Sequence, residues 1–522
     1  MVTTSQPMAA QAGLAALQRG GNAVDAALAA AITLTVVEPV SNGVGGDLFA
    51  LVGLPSGEAP VLALNASGRA PSAWKPQRFA SCAAMPMTGW EAVTVPCTPM
   101  GWRRLSERAG RLPFQSLFDD AIRLADDGFA VTPVVAAKWA REGQRLAEVP
   151  GFATQFLPEG RAPMAGEIFR TPHLGDTLRE IAATGSESFY RGTLAQALAS
   201  AAQASGAAIT TDDLAAAWAD DGWVQPLHLD YRGHRIHQLP PNSQGITTLI
   251  ALGILQHFDS ALLGSGSAPA QHLAIEALKL AFVDTYRGLA DQQAMTERVA
   301  DWLQPERLAS LARRIDPARA SDFGPAVPPW GGTVYVAAAD DSGMVVSLIQ
   351  SNFVGFGSGI VVPGTGISLH NRGAGFTLQP GHPNQVDGGK RPLHTIIPAL
   401  ITRHGRPSCA LGVTGGPIQP QGQVQLLLQM IDGGVAAQDA VAAARWKIEH
   451  KTAGLQLDLE PSYPADLAAR LRGMGHAAGP PGITGGDFGG AFAIQRAPSA
   501  PADTALWVGG SDPRRDGLVA AT

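Results

Sequence analysis

The sequence predicts an α+β protein, and three observations carry that expectation. Helix-period apolar patterns dominate from about Pro113 to Leu289. Strand-period alternation with frequent turns dominates after Gly331. Between them, Asp316 to Trp330 contains PARASDFGPAVPPW, whose prolines and small or polar residues read as an exposed linker.

Taken in order, Ala9 to Leu17 and Asn22 to Thr35 repeat apolar residues at three-to-four spacing. Gly20-Gly21 breaks them, and Asn22 is placed to cap the second helix. The turn NGVGGD (Asn42 to Asp47) leads into a strand, LFALVGL, and a second strand, VLALNAS, ends just before Arg69. SLFDDAIRLADDG, TLAQALASAAQA and HLAIEALKLAFVD are amphipathic helices. YRGHRIHQLPP alternates like a strand and stops at paired prolines. GGTVYVAAADDSGMVVSLIQS is two strands joined by the DDSG turn at Asp340 to Gly343. A last helix lies around Val424 to Ile431.

At 522 residues the chain exceeds what one core usually supports, so two domains or one layered domain of two halves is expected. With 45% apolar and 16% charged residues it has the material for such a core and is not disordered. The net charge of −6 is spread along the chain, and no lysine and arginine run could follow a phosphate backbone, so nucleic acid is not an expected partner. Cys82, Cys97 and Cys409 show neither CxxC nor Cys/His pairing and read as free thiols. Ala26 to Val37 is too short to cross a bilayer. MVTTSQPMAA has no basic segment followed by an apolar one, which predicts a cytoplasmic protein without membrane contact.

Thr333 stands at a strand start directly after the linker. A hydroxyl is a weak nucleophile at neutral pH and needs a base beside it. If the chain is cut before Thr333, its new α-amino group, with a reference pKa of about 7.7–8.0, can be that base. Gly332 lacks a Cβ and tolerates the backbone angles such a self-attack requires. Taken locally, the same pattern fits an ordinary β-branched residue opening a hairpin.

Seven stretches change that balance: GNAVDAA (Gly21 to Ala27), VVEPVSNGVGGDLF (Val36 to Phe49), ASGRAP (Ala66 to Pro71), GGTVYVAAAD (Gly331 to Asp340), FGSGIV (Phe356 to Val361), GKRPLHTIIP (Gly389 to Pro398) and GGSDPRRDG (Gly509 to Gly517). In this order, across nearly the whole chain, the sequence resembles the gamma-glutamyltranspeptidase family. The resemblance implies an αββα four-layer sandwich of the N-terminal-nucleophile hydrolase type, two stacked antiparallel sheets flanked by helices. It implies self-cleavage at Gly332–Thr333 into residues 1–332 and 333–522, a heterodimer whose further dimerisation is left open. It also implies attack on small amides bearing a carboxylate, with no metal or organic cofactor.

By the same resemblance Thr333 is the nucleophile, Ser351 the hydroxyl that bonds it, and Arg69 the arginine that holds the substrate carboxylate. The family's amino-binding asparagine, glutamine and aspartate fall, by ungapped count, on Phe353, Arg372 and Gly375. An ammonium beside Arg372, with no carboxylate near, would be repelled. His394 and Thr395 replace a double serine. Either Gly415 and Gly416 or the Gln419–Gln421 backbone supplies the oxyanion donors.

Other residues read more plainly. His234 and His237 lack a third metal ligand. The GVGG and GFGSG glycines lack the strand–GxGxxG–helix setting of a nucleotide loop. Lys390 and Arg391 are either charges of the site or partners of carboxylates such as Asp512. Asp47 and Asp487 read as turn residues. The expected function is a self-processing threonine amidohydrolase or acyltransferase for glutaryl- or oxamate-like amides. The alternatives are a true gamma-glutamyltransferase/glutathione hydrolase acting in glutathione metabolism, and an uncleaved, non-catalytic carboxylate binder.

Overall fold

The computed structural model describes residues 1–56, 60–324, 332–451, 454–482, 488–497 and 504–522. Gly331, Asp487 and the end of the expected linker lie outside the described residues. The strands that build the two main sheets are β1 (Val2–Thr4), β2 (Asp47–Gly53), β3 (Val61–Ala66), β4 (Trp223–Val224), β5 (Leu227–Tyr231), β6 (His234–Gln238), β7 (Gly332–Ala339), β8 (Val345–Phe353), β9 (Ala399–Arg403), β10 (Arg406–Val413), β11 (Ala491–Arg496), β12 (Trp507–Ser511) and β13 (Leu518–Ala520). One sheet has the order β13-β1-β7-β8-β2-β3-β4, the other β12-β11-β10-β9-β6-β5. All these pairings are antiparallel.

Alternation along β7 shows how the layers form. Tyr335, Ala337 and Ala339 point into a core shared with Leu400, Ala410, Phe492 and Ile494 of the second sheet. Val334, Val336 and Ala338 point the other way, into a core made with the helices Ala23–Val37 and Thr98–Ala109. On the far side of the second sheet, Ile236, Ile401, Leu411 and Ala493 meet the helices Gly245–Leu255, Ala268–Gly288 and Ile418–Leu427. The order is helices, sheet, sheet, helices. Each central strand is apolar on both faces because each face is covered.

Local chemistry fixes several ends. Asn22 Oδ1 accepts from Val24 N and Asp25 N, and Asp25 Oδ2 accepts from Asn22 N at 2.9 Å, a reciprocal cap for the buried helix Ala23–Val37. Gly412 lets the sheets close, since a Cβ there would lie 2.2 Å from the Tyr335 ring. Both sheets contain strands from both sides of Thr333, and in the first sheet they interleave, so cutting before Thr333 would leave two intertwined pieces. No helix among the described residues is long and apolar enough to cross a membrane.

Candidate active site

Pairing of β7 with β8 places Thr333 beside Ser351, with an irregular register between Gln350 and Phe353 at that end. Thr333 is 4% exposed. Its Oγ1 donates to the Gly332 carbonyl at 2.6 Å and lies 3.4 Å from Ser351 Oγ. Ser351 Oγ accepts the Phe353 N–H at 2.8 Å and donates its own proton to the same Gly332 carbonyl at 2.5 Å. Two hydroxyls therefore polarise the carbonyl that a self-cleavage would attack.

Gln419 enters from the helix Ile418–Leu427. Its Oε1 accepts Ile397 N at 3.0 Å, which turns Nε2 toward Thr333 Oγ1 at 3.5 Å. The Gln419 side chain, rather than its backbone, faces Thr333; its backbone N–H bonds the Gly416 carbonyl. Gln421 points away, bonded on both sides to Ile448. Gly415 and Gly416, with φ of 110° and 70°, form the bend before this helix.

A buried cation completes the cluster. Arg372 is 1% exposed; its Nη1 donates to Thr395 Oγ1 at 3.0 Å and its Nη2 to Ser351 Oγ at 3.5 Å. The Phe353 ring covers the guanidinium, 4.2 Å from its centroid, and Phe353 takes a left-handed φ of 75°. Arg372 Nε is buried without a partner. Burial brings the Arg372 pKa down to about 9 against the opposing pull of Asp47, so it remains a cation at neutral pH. Phe353, Gly375 and Thr395 line a cavity of about 500 Å³ with Met85, Tyr286 and His382. A Cβ on Gly375 would lie 2.5 Å from the Leu393 carbonyl, which leaves room only for glycine.

Three expectations are corrected. Asp47 is no turn residue: it opens β2, is fully buried, and accepts from Gly68 N at 3.2 Å and His394 Nε2 at 3.0 Å. It is also the carboxylate near Arg372 whose absence had been expected. Burial pushes Asp47 up to about 7 although Arg372 pulls it down. Burial, then Arg372 and His370, hold His394 well below its usual value, so the imidazole is neutral. Arg391 pairs with Asp220 at 2.7 Å, not with Asp512, which binds Arg445 and Arg514. Nothing local marks Asp47–His394, Arg391–Asp220 or Arg445–Asp512, because each of these pairs joins segments far apart in the chain.

Arg69 lies in a different setting. Its Nη1 donates to Asp291 at 3.1 Å and to the Gly389 carbonyl at 3.0 Å, with Asp220 at 3.8 Å from Nη2. It lines a separate cavity of about 180 Å³. His237 bonds Thr402. Among the described residues His272, Glu276 and His476 bring three ligand atoms within 4.8 Å of one another, but Lys279 Nζ bonds Glu276 at 2.7 Å and already places an ammonium there.

Residues 9–522 match the family model described as Gamma-glutamyltranspeptidase. The chain belongs to the gamma-glutamyltranspeptidase family. It is 38% identical to an oxamate amidohydrolase proenzyme of Klebsiella pneumoniae, over 100% of this chain and 98% of the relative. It is 34% identical to a glutathione hydrolase-like proenzyme of Bacillus subtilis, over 99% and 98%. Among solved structures, a cephalosporin acylase from Bacillus halodurans superposes with a TM-score of 0.92 at 40% identity, covering 100% of this chain and 95% of the other. The four layers are those of an N-terminal-nucleophile hydrolase, and the protein is an amide-bond hydrolase of that kind.

Proposed function

We propose that the protein cuts itself before Thr333 and then uses Thr333 to cleave amides whose acyl group carries a carboxylate, glutaryl- or oxamate-like. The observation that carries this is the Gly332 carbonyl, bonded at once by Thr333 Oγ1 and Ser351 Oγ at 2.6 and 2.5 Å. Attack by Oγ1 on that carbon transfers the Gly332 acyl group from nitrogen to oxygen, and water opens the resulting ester. The amino group so freed is the base for later turnovers. In each turnover Thr333 Oγ1 bonds the substrate carbonyl carbon, the C–N bond breaks, the amine leaves with the proton taken from the hydroxyl, and water releases the acid. Ser351 and the Gln419 amide are placed to stabilise charge on the reacting oxygens.

The relatives named oxamate amidohydrolase and cephalosporin acylase support an amide acid as substrate. A true gamma-glutamyl hydrolase or transferase is the second reading, favoured by the glutathione hydrolase-like relative and opposed by Arg372, whose charge would meet the glutamyl ammonium. Residues 1–332 would form one subunit and 333–522 the other. Mass spectrometry of the purified protein and amine release from γ-glutamyl, glutaryl, succinyl and oxamic amides test the proposal together. An uncleaved chain that releases no amine would instead be a carboxylate-binding relative without catalysis.

A further inference from the structure

The geometry points to Arg372, not Arg69, as the receptor for the substrate's carboxylate, and to an acyl group of two or three carbons. This rests on the amidohydrolase reading above and narrows it.

The two arginines differ in what already holds them. Arg69 is half-exposed and bound by Asp291, with Asp220 close by, so a substrate carboxylate would compete with two resident ones. Arg372 is buried, and among the described residues no carboxylate bonds to it, one nitrogen has no partner and another makes only a 3.5 Å contact. A buried donor without a partner is destabilising, and a ligand oxygen recovers that cost on binding. The Phe353 ring on one face keeps water from the guanidinium and strengthens any charge pair made there. Thr395, which accepts from Arg372, and Phe353, which covers it, both line the 500 Å³ cavity, so one layer of side chains separates the cation from that space.

Distance then selects the acid. The links of 3.4 Å from Thr333 Oγ1 to Ser351 Oγ and 3.5 Å from there to Arg372 Nη2 place nucleophile and guanidinium no more than about 7 Å apart. A near-attack carbonyl carbon stands about 3 Å from the oxygen. In an oxamate-like acid the carboxylate oxygen lies about 2.4 Å further, and a charge-assisted hydrogen bond adds about 2.8 Å. A slightly bent two-carbon acid closes that span. Each methylene adds roughly 1.2 Å in an extended chain, so a glutaryl group overshoots by close to 5 Å. The short acid is released as its diacid when water opens the Thr333 ester, and ammonia or a small amine is the other product.

Ammonia release from oxamate, malonamate, succinamate and glutaramate by the matured protein tests the length rule. We expect kcat/KM to fall with each methylene, by at least 100-fold from oxamate to glutaramate. Oxamide, the neutral isostere of oxamate, tests the receptor. The wild type should prefer oxamate strongly, and Arg372→Gln should bring the oxamate-to-oxamide ratio to within about threefold of one, with Arg372→Lys between. If Arg372→Gln does not mature, the length series on wild type still decides. Preference for glutaramate, an unchanged ratio in Arg372→Gln, or collapse of the ratio in Arg69→Gln instead would overturn the inference while leaving the amidohydrolase reading intact. Absence of any amide hydrolysis would overturn both.

Discussion

Asp47 and His394 meet with both side chains fully buried, His394 Nε2 donating to Asp47 Oδ2 at 3.0 Å. The His394 Nδ1 accepts from Ile396 N, which fixes the tautomer with the proton on Nε2. The pair ties the start of β2 to the segment before β9 and sets the Asp47 carboxyl within the field of Arg372.

A titration follows from this pair. The Asp47 carboxyl is raised to about 7, so the folded protein holds that proton more tightly than the unfolded chain, where the value is about 3.9. Its ionisation opposes folding: the cost is absent below about pH 4, grows as pH rises, and is complete above about 7. Asp47→Asn has no such proton. Its Tm relative to wild type should therefore move in the variant's favour between pH 4.5 and 7.5, on top of a constant offset from the altered hydrogen bond. Parallel melting curves across that range would contradict the buried carboxylate.

On the proposed mechanism, maturation depends on the Thr333 hydroxyl. Wild-type protein should resolve into residues 1–332 and 333–522 by mass spectrometry. Thr333→Ala should stay one inactive chain of unchanged fold, because the hydroxyl contributes the attack and little packing. A Thr333→Ala chain that is cut at the same bond would assign the cleavage to another agent.

Ser351 shares the Gly332 carbonyl with Thr333, so Ser351→Ala removes one of its two hydroxyl donors. Loss of a single donor of this kind slows reaction by roughly 10²–10³-fold. Processing followed by gel over time should slow by that order, and Ser351→Thr should recover part of it. Processing at the wild-type rate in Ser351→Ala would assign the donor role elsewhere.

Much of this was legible locally. The capped helix after Asn22, the DDSG hairpin and the continuous apolar faces of β7 and β8 follow from short-range pattern, and one of the seven motifs drew attention to Thr333. What was not legible joins distant segments. GGD at Asp47 looks like a turn until His394, brought alongside by sheet stacking, claims its carboxylate. Arg69 and Arg391 show their charges in sequence but not Asp220 and Asp291, which neutralise them. The Gln419 amide reaches Thr333 only because Ile397 N orients it, a contact across 22 residues.

Sheet closure at Gly412 gives a stability test. A Cβ at that position would lie 2.2 Å from the Tyr335 ring, which cannot swing away without breaking its 2.8 Å bond to Ser347. Gly412→Ala should cost roughly 1–3 kcal/mol by overpacking, read from urea unfolding. Tyr335→Leu in the same chain should recover part of the loss, as expected for neighbours in contact.

The last prediction separates an amide acid from a glutamyl substrate of equal length. Glutaryl and γ-glutamyl p-nitroanilides differ only by the α-ammonium, so chain length cancels in their ratio. With its acyl chain reaching toward Arg372, that ammonium would stand near the guanidinium, which burial leaves poorly screened. Asp47 offsets part of the repulsion, but its carboxylate is already bonded to His394 and Gly68 and cannot turn to receive a new cation. The glutaryl compound should have the higher kcat/KM, by about tenfold, the scale of one charge-assisted contact. The preference should persist at 0.5 M salt, because added ions do not reach a buried cation. In Arg372→Gln it should shrink toward one, since the repelling charge is gone. Equal or better turnover of the γ-glutamyl compound by wild type would mean that the ammonium lies away from Arg372, and the glutathione-hydrolase reading would then take precedence.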